Sequence, residues 1–246
     1  MHRTERLNKE MLPTSLFNFL VLWLIVDLNI KGKHAVVIGG GTEGVRKVRG
    51  LLGQGCKITV ITNRANRFLV EQAALGKIEL VKANLRDAGI LDNYNDAFLV
   101  LAATNDRELN RKIIEKGQLR KAFVYAADDP AVSDFSYASI VNIEGIVQVA
   151  ISTSGKSPLM ARKIRIKAER VLRRIIKKAD IENAKLQEFA RQAARPHIKT
   201  TGERKEFLYS VIRSREIQNL IKEGKIEEAK SATLELLQKW EKKDRT

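Results

Sequence analysis

The chain has 246 residues, 44% hydrophobic and 30% charged, which is enough to bury one large or two modest cores and too apolar for a disordered protein. A formal net charge of +16 suggests either an anionic partner (nucleic acid, an anionic membrane surface or a polyanionic small molecule) or a solvated, lysine-rich helical face, and it is unevenly placed: Ala161 to Thr246 carries 24 basic residues against 13 acidic ones. The single cysteine, Cys56, excludes an internal disulfide framework and a cysteine-rich metal centre, and it fits a reducing, cytoplasmic compartment.

The first feature along the chain is the apolar run LFNFLVLWLIV, Leu16 to Val26, within an N-terminal extension over residues 1–29. It is shorter than the ~20 residues a membrane-spanning helix needs, and no small-residue cleavage site follows Asp27. It reads as buried or subunit-facing structure, so no membrane partner is expected. From Lys33 to Ala127 strands and helices alternate. HAVVIGG, KITVIT, KIELVKA, AFLVLAAT and AFVYAA are β-rich runs. Between them, VRKVRGLLGQG, RFLVEQAAL and DRELNRKIIEKGQLR are helical, the last with apolar Leu109, Ile113 and Ile114. Strands without polar alternation, separated by helices, predict a doubly wound parallel sheet of Rossmann type over residues 30–134.

Beyond Pro130 the pattern changes. ASIVNIEGIVQVAIST is two β-rich runs meeting at Glu144-Gly145, a hairpin signature. From Pro158 the chain is helical, with interruptions expected near Arg195-Pro196 and Thr201-Gly202. The resulting division is 135–175 for the β-containing region and 176–246 for a helical region.

Three segments carry chemistry. VVIGGGTEGVRK holds Gly39-x-Gly41-x-x-Gly44 between a strand and a helix. Glycine permits the tight turn, and without a Cβ the amides of Gly39, Gly40, Gly41, Thr42, Glu43 and Gly44 can approach a pyrophosphate at the helix start. The acidic residue expected after the second strand is missing. Thr62 and Asn63 stand there instead, followed by Arg64 and Arg67, so a ribose hydroxyl on Asn63 (NAD) and a 2′-phosphate on an arginine (NADP) are both open. In LAATNDRELN, Thr104 and Asn105 follow the fourth strand on the edge that lines the ligand crevice, where Asn105 or Asp106 also suits a helix N-cap. In ISTSGKSPLMARKIR, Ser157 and Pro158 form a helix start. With Ser152, Thr153, Ser154, Gly155 and Lys156 ahead of it, this segment reads equally as an anion-attracting loop or a capped surface helix. His2, His34 and His197 show no metal-site spacing, and no permanent metal is expected.

Taken together, VVIGGGTEGVRKVRGLL, AATNDRELN, YAADDPAVSDF and VAISTSGKSPLMARKIR resemble the precorrin-2 dehydrogenase / siroheme synthase family, in order and spacing, over roughly Asp27 to Arg173. The resemblance implies NAD-dependent oxidation of precorrin-2 to sirohydrochlorin and, in some members, insertion of ferrous iron, as substrate, to give siroheme. It implies a homodimer built on an N-terminal Rossmann domain, a central dimerisation region and a C-terminal helical part. It maps the family's catalytic aspartate onto Asp128 of AADDP, leaving Asp129 to the turn, and it directs the Ser152–Ser157 loop to an anionic tetrapyrrole. Where the family reads Asn-Val-Val before that aspartate, this chain has Tyr125-Ala126-Ala127. The apolar insertion after Leu12-Pro13 and the long basic tail lie outside the resemblance.

Two other readings compete with this one. The first is an NAD(P)-dependent oxidoreductase acting on another anionic metabolite. The second is a non-catalytic nucleotide-sensing module whose basic tail binds nucleic acid. The tail has few aromatics and no recognised nucleic-acid motif, so nucleic acid is not the expected partner.

Overall fold

A computed structural model of the chain describes residues 24–243. Most of the apolar run, residues 16–23, lies outside the described residues, and its last three, Leu24, Ile25 and Val26, are exposed on the single chain. The chain divides into two compact units between Tyr137 and Ala138.

The first unit is a five-stranded parallel sheet. Its elements are β1 (His34–Ile38), α1 (Thr42–Leu51), β2 (Lys57–Thr62), α2 (Arg67–Ala74), β3 (Glu79–Lys82), β4 (Ala97–Ala102), α3 (Arg107–Leu119) and β5 (Phe123–Ala126). A 3₁₀ segment, Ala88–Asn93, joins β3 to β4. The strand order is β3-β2-β1-β4-β5. β1 is buried along its whole length because alternate residues serve opposite faces. Val37 packs with Val48, Leu51, Val60 and Leu69 towards α1 and α2. Val36 and Ile38 pack with Leu91, Val100, Ile113 and Ile114 towards α3 and the 3₁₀ segment. Burying each such side chain is worth about 1.5–3 kcal/mol. The order reverses between β1 and β4, and an open sheet of this kind forms its ligand crevice at that reversal, beyond the carboxyl ends of the strands.

The second unit begins with the antiparallel hairpin of β6 (Ser139–Ile143) and β7 (Val147–Ile151). Glu144 and Gly145 have φ of 52° and 72°, the left-handed pair a tight I′-type turn requires, and Asn142 Oδ1 accepts the Gly145 N–H at 2.8 Å. Five helices follow: α4 (Pro158–Ile175), α5 (Lys178–Ala194), α6 (Thr201–Arg213), α7 (Arg215–Lys222) and α8 (Ile226–Lys243). Val141 and Ile143 of the hairpin share a small core with Ile181 of α5, so the hairpin and the helical tail form one compact unit. A second core gathers Leu186, Phe207, Val211, Ile217, Ile221 and Leu237. Thr201-Gly202, expected as an interruption, instead opens α6. The hydroxyl of Thr200 accepts the Glu203 N–H at 3.2 Å while the Glu203 carboxylate faces the Thr200 N–H at 3.3 Å, a reciprocal cap that outweighs the cost of a glycine in the first turn.

Candidate active site

Three loops meet at the carboxyl edge of the first unit's sheet, those after β1, β4 and β5. Gly41, Thr42 and Glu43 come from the first, Ala103, Thr104, Asn105 and Arg107 from the second, and Ala127 and Asp128 from the third. Together they line one open cavity of about 300 Å³.

The β1–α1 turn needs its glycines for different reasons. Gly39 has φ +113°, donates its N–H to Ile61 O at 2.9 Å, and lies so close to Ala103 O that any Cβ would collide with it. A Cβ on Gly44 would strike Gly39 O, and one on Gly40 would sit 2.6 Å from Thr62 Oγ1. At Gly41, by contrast, a Cβ would meet only open space, and this residue caps α1 without a side-chain hydrogen bond. The first amides of a helix have no intrahelical partner, so this uncapped start presents donors and positive potential to the cavity. Glu43, in the first turn, is held by Arg46 at 2.6 Å, which offsets its negative charge there.

Asp106 is the N-cap of α3, accepting the Leu109 N–H at 3.0 Å, which leaves Asn105 exposed on the cavity wall. Thr104 is turned inward. Its hydroxyl donates to Asn110 Oδ1 at 2.7 Å, and its N–H reaches the same oxygen at 3.1 Å. Asn110, only 1% exposed, donates from Nδ2 to Thr104 O at 3.1 Å and to Asp128 Oδ1 at 2.9 Å. The other carboxylate oxygen of Asp128 lies 3.5 Å from Arg107 Nε, with the Asp128 side chain 27% exposed. Asp129 does turn work: its Oδ1 accepts the Ala131 N–H at 3.0 Å at the head of a short 3₁₀ turn, Pro130–Val132.

Beside the site, Lys47 of α1 is 4% exposed, with its ammonium 3.8 Å from the ring centroids of both Tyr125 and Tyr137. Burial, with a smaller push from Arg46, brings its pKa down to about 7. Burial raises both phenols, that of Tyr137 the more.

The cavity therefore gathers Gly41, Thr42, Glu43, Thr104, Asn105 and Asp128, with Gly39, Gly40 and Gly44 shaping the turn behind it. Thr62 lies buried beneath Gly40, its hydroxyl donating to Arg64 O at 2.9 Å, while Asn63 is exposed at the end of β2. Ser152 to Ser157 belong to the second unit, between β7 and α4. There Thr153 Oγ1 accepts the Ser157 N–H at 3.0 Å, Ser157 caps α4 through Met160 N–H, and Ser154 and Gly155 adopt φ of 51° and 77°. Gly155 and Lys156 are exposed. Among the described residues no group of three or more His, Cys, Asp or Glu side chains is placed to hold a metal. Sequence reasoning missed Asn110 and Arg107. The signal for Asn110 was its spacing, since it shares a helix face with Ile113, Ile114 and Gly117 and is thus a polar residue at a core position.

A putative NAD(P)-binding family matches residues 26–139, and the central region of sirohaem biosynthesis proteins matches residues 145–167. The siroheme synthase of Nitrosococcus oceani is 36% identical over 150 residues, 61% of this chain and 31% of that protein. The siroheme synthase of Neisseria meningitidis is 30% identical over 179 residues, 73% of this chain and 35% of its own length. That of Mannheimia succiniciproducens is 30% identical over 208 residues, or 84% and 41%. The chain thus spans between about a third and two fifths of the curated relatives it matches. Among solved structures, SirC, a precorrin-2 dehydrogenase, superposes with a TM-score of 0.60 at 22% identity, over 84% of this chain and all of that one.

Proposed function

We propose that this chain, whose NAD(P)-binding and central segments are of the siroheme-synthase type, oxidises precorrin-2 to sirohydrochlorin with a nicotinamide dinucleotide as acceptor. The observation that carries the reading is the single cavity in which an uncapped, glycine-lined helix start faces a carboxylate fixed by a buried amide.

The residues fit a dinucleotide. The open side of Gly41 and the amides of the first turn of α1 suit a pyrophosphate, and the absence of a Cβ lets it approach the backbone. Asn63, at the end of β2, suits the ribose hydroxyls of NAD, while Arg64 and Arg67 leave a place for a 2′-phosphate. When bound, the nicotinamide accepts a hydride from the macrocycle. The accompanying proton must go elsewhere; of the two carboxylates on the cavity wall, Glu43 is tied to Arg46 at 2.6 Å, and Asp128 is the one placed to take the proton or hold a pyrrole N–H in line. Arg107, at the rim, suits a carboxylate of a polyanionic tetrapyrrole, as does the +16 net charge. If the chain also metallates its product, Asp128 is the group that would receive the pyrrole protons as ferrous iron, a substrate, enters.

A homodimer completes the reading, with 135–175 as its dimerisation region and 176–246 as an added helical part. Met160, Ile164, Val171 and Ile175 recur at helical spacing on α4, are exposed on the single chain, and form an apolar stripe suited to a second copy. Among the described residues no helix is long and apolar enough to cross a membrane. The test is one tube holding protein, precorrin-2 and NAD⁺. Formation of NADH together with sirohydrochlorin supports the assignment, and ferrous iron added afterwards reads chelation as siroheme. Failure to form NADH with precorrin-2 contradicts it.

A further inference from the structure

Asn110 bonds two residues of the cavity wall, Thr104 and Asp128, without lining the cavity itself. It comes from α3, its residue is 1% exposed, and its amide is fully engaged. Oδ1 accepts the N–H of Thr104 at 3.1 Å and its hydroxyl at 2.7 Å. Nδ2 donates to Thr104 O at 3.1 Å and to Asp128 Oδ1 at 2.9 Å. One side chain thereby ties the end of β4 to the carboxylate that follows β5. An inverted amide would set like against like at three of these four contacts, the Thr104 N–H, the Thr104 carbonyl and the Asp128 carboxylate, so the orientation is fixed. A carboxylate with one oxygen so held has lost its freedom to rotate, and its second oxygen is left towards Arg107 and the cavity.

We infer that Asn110 is a positioning residue for the dehydrogenation: it aims Asp128 Oδ2 at the substrate and fixes that aim relative to the strand end carrying Thr104 and Asn105. The inference rests on the proposed role of Asp128. Its cost follows from geometry, because a misplacement of about 1 Å at a reacting group removes on the order of 100-fold in rate. A hydrogen bond that served only to hold the two loops together would instead be felt in stability and in cofactor affinity.

Three variants separate these cases: Asn110→Asp, Asn110→Ala and Asp128→Asn. Asn110→Asp keeps the shape and the acceptor for Thr104 but sets a carboxyl against Asp128. Each variant is measured for thermal midpoint, for NADH dissociation constant, and for kcat and KM with precorrin-2. For Asn110→Asp and Asn110→Ala we expect kcat to fall on the order of 100-fold, with KM and NADH affinity changed by no more than about threefold, under ~0.7 kcal/mol. The Asn110→Asp deficit alone should shrink as pH falls from about 8 to about 6, since two carboxyls in contact share one proton and regain the hydrogen bond. Arg107 and Glu43, the other charged groups on the cavity wall, are unchanged in both Asn110 variants, so their contribution cancels in that comparison. The inference is overturned if kcat in the Asn110 variants stays within about threefold of the parent while Asp128→Asn is inactive. It is also overturned if both Asn110 variants fail to fold, since Asn110 would then be structural first. If Asp128→Asn itself turns over normally, the role of Asp128 has failed, and the inference falls with it for that separate reason.

Discussion

Lys47 gives the sharpest test of the packing beside the site. The ammonium is buried at 4% residue exposure between two phenol rings, each 3.8 Å away, and burial pulls its pKa from 10.5 to about 7. A shift of that size corresponds to roughly 5 kcal/mol against the charged form. Two cation–π contacts, about 1–2 kcal/mol each, act against that burial cost, so the net cost of the charged form in the folded state is about 1–3 kcal/mol and the pKa is lowered correspondingly less than burial alone would lower it. The sign follows from linkage. Because the folded pKa lies below the unfolded one, the cost is fully present below about pH 7, where both states hold the proton. It fades as pH rises towards 10.5, because the folded state releases its proton first. Lys47→Met keeps most of the side-chain volume and removes the charge. Urea unfolding followed by circular dichroism should therefore show the variant more stable than the parent by about 1–3 kcal/mol near pH 6.5, the gain shrinking towards pH 10. A variant less stable than the parent near pH 6.5, or a gain that does not change with pH, would refute the reasoning.

The glycines of the first loop should separate by role. Gly39→Ala forces a Cβ into Ala103 O at φ +113°, so it should lose a few kcal/mol of stability along with nucleotide binding, both read by thermal shift with and without NADH. At Gly41 the φ is −71° and no atom stands within 4 Å of an added Cβ. Gly41→Ala should thus keep its midpoint within about 0.5 kcal/mol while NADH affinity falls, measured by NADH fluorescence titration. On α4, Ile164→Glu places a charge in the exposed apolar stripe and should shift a dimer to monomer by light scattering, with little change in helix content.

Legibility in the sequence followed how local each cause was. Gly39, Gly41 and Gly44 could be read because a tight strand–turn–helix junction demands glycine at fixed offsets, and the sheet followed from β-branched runs without polar alternation. Asp128 and Asp129 look alike in a turn, and the resemblance to siroheme synthases was what divided them. The structure supplies a physical difference, with Asp129 capping a 3₁₀ turn and Asp128 held by Asn110. Asn110 went unseen because an asparagine in a charged amphipathic helix reads as solvated, and its partners lie six and eighteen residues away. Lys47 sits in the helical run VRKVRGLLGQG, and nothing there signals its burial because neither tyrosine ring is near it in sequence. In the tail, helical content was plain but helix number was not. The break between α6 and α7 is the single residue Ser214, which accepts the Ile217 N–H at 3.4 Å, and Gly224, at φ 78°, lies in the break between α7 and α8.

The central claim is that one carboxylate, Asp128, does the proton work of a nicotinamide-dependent oxidation of precorrin-2. Its most direct test is Asp128→Asn, which keeps the shape and can still face Asn110, assayed for NADH formation with precorrin-2 alongside NADH binding. The account predicts a loss of turnover of about 10²–10⁴-fold, the range ascribed to a positioned acid or base, with NADH affinity essentially unchanged. Turnover within about threefold of the parent, a difference under ~0.7 kcal/mol, would contradict it.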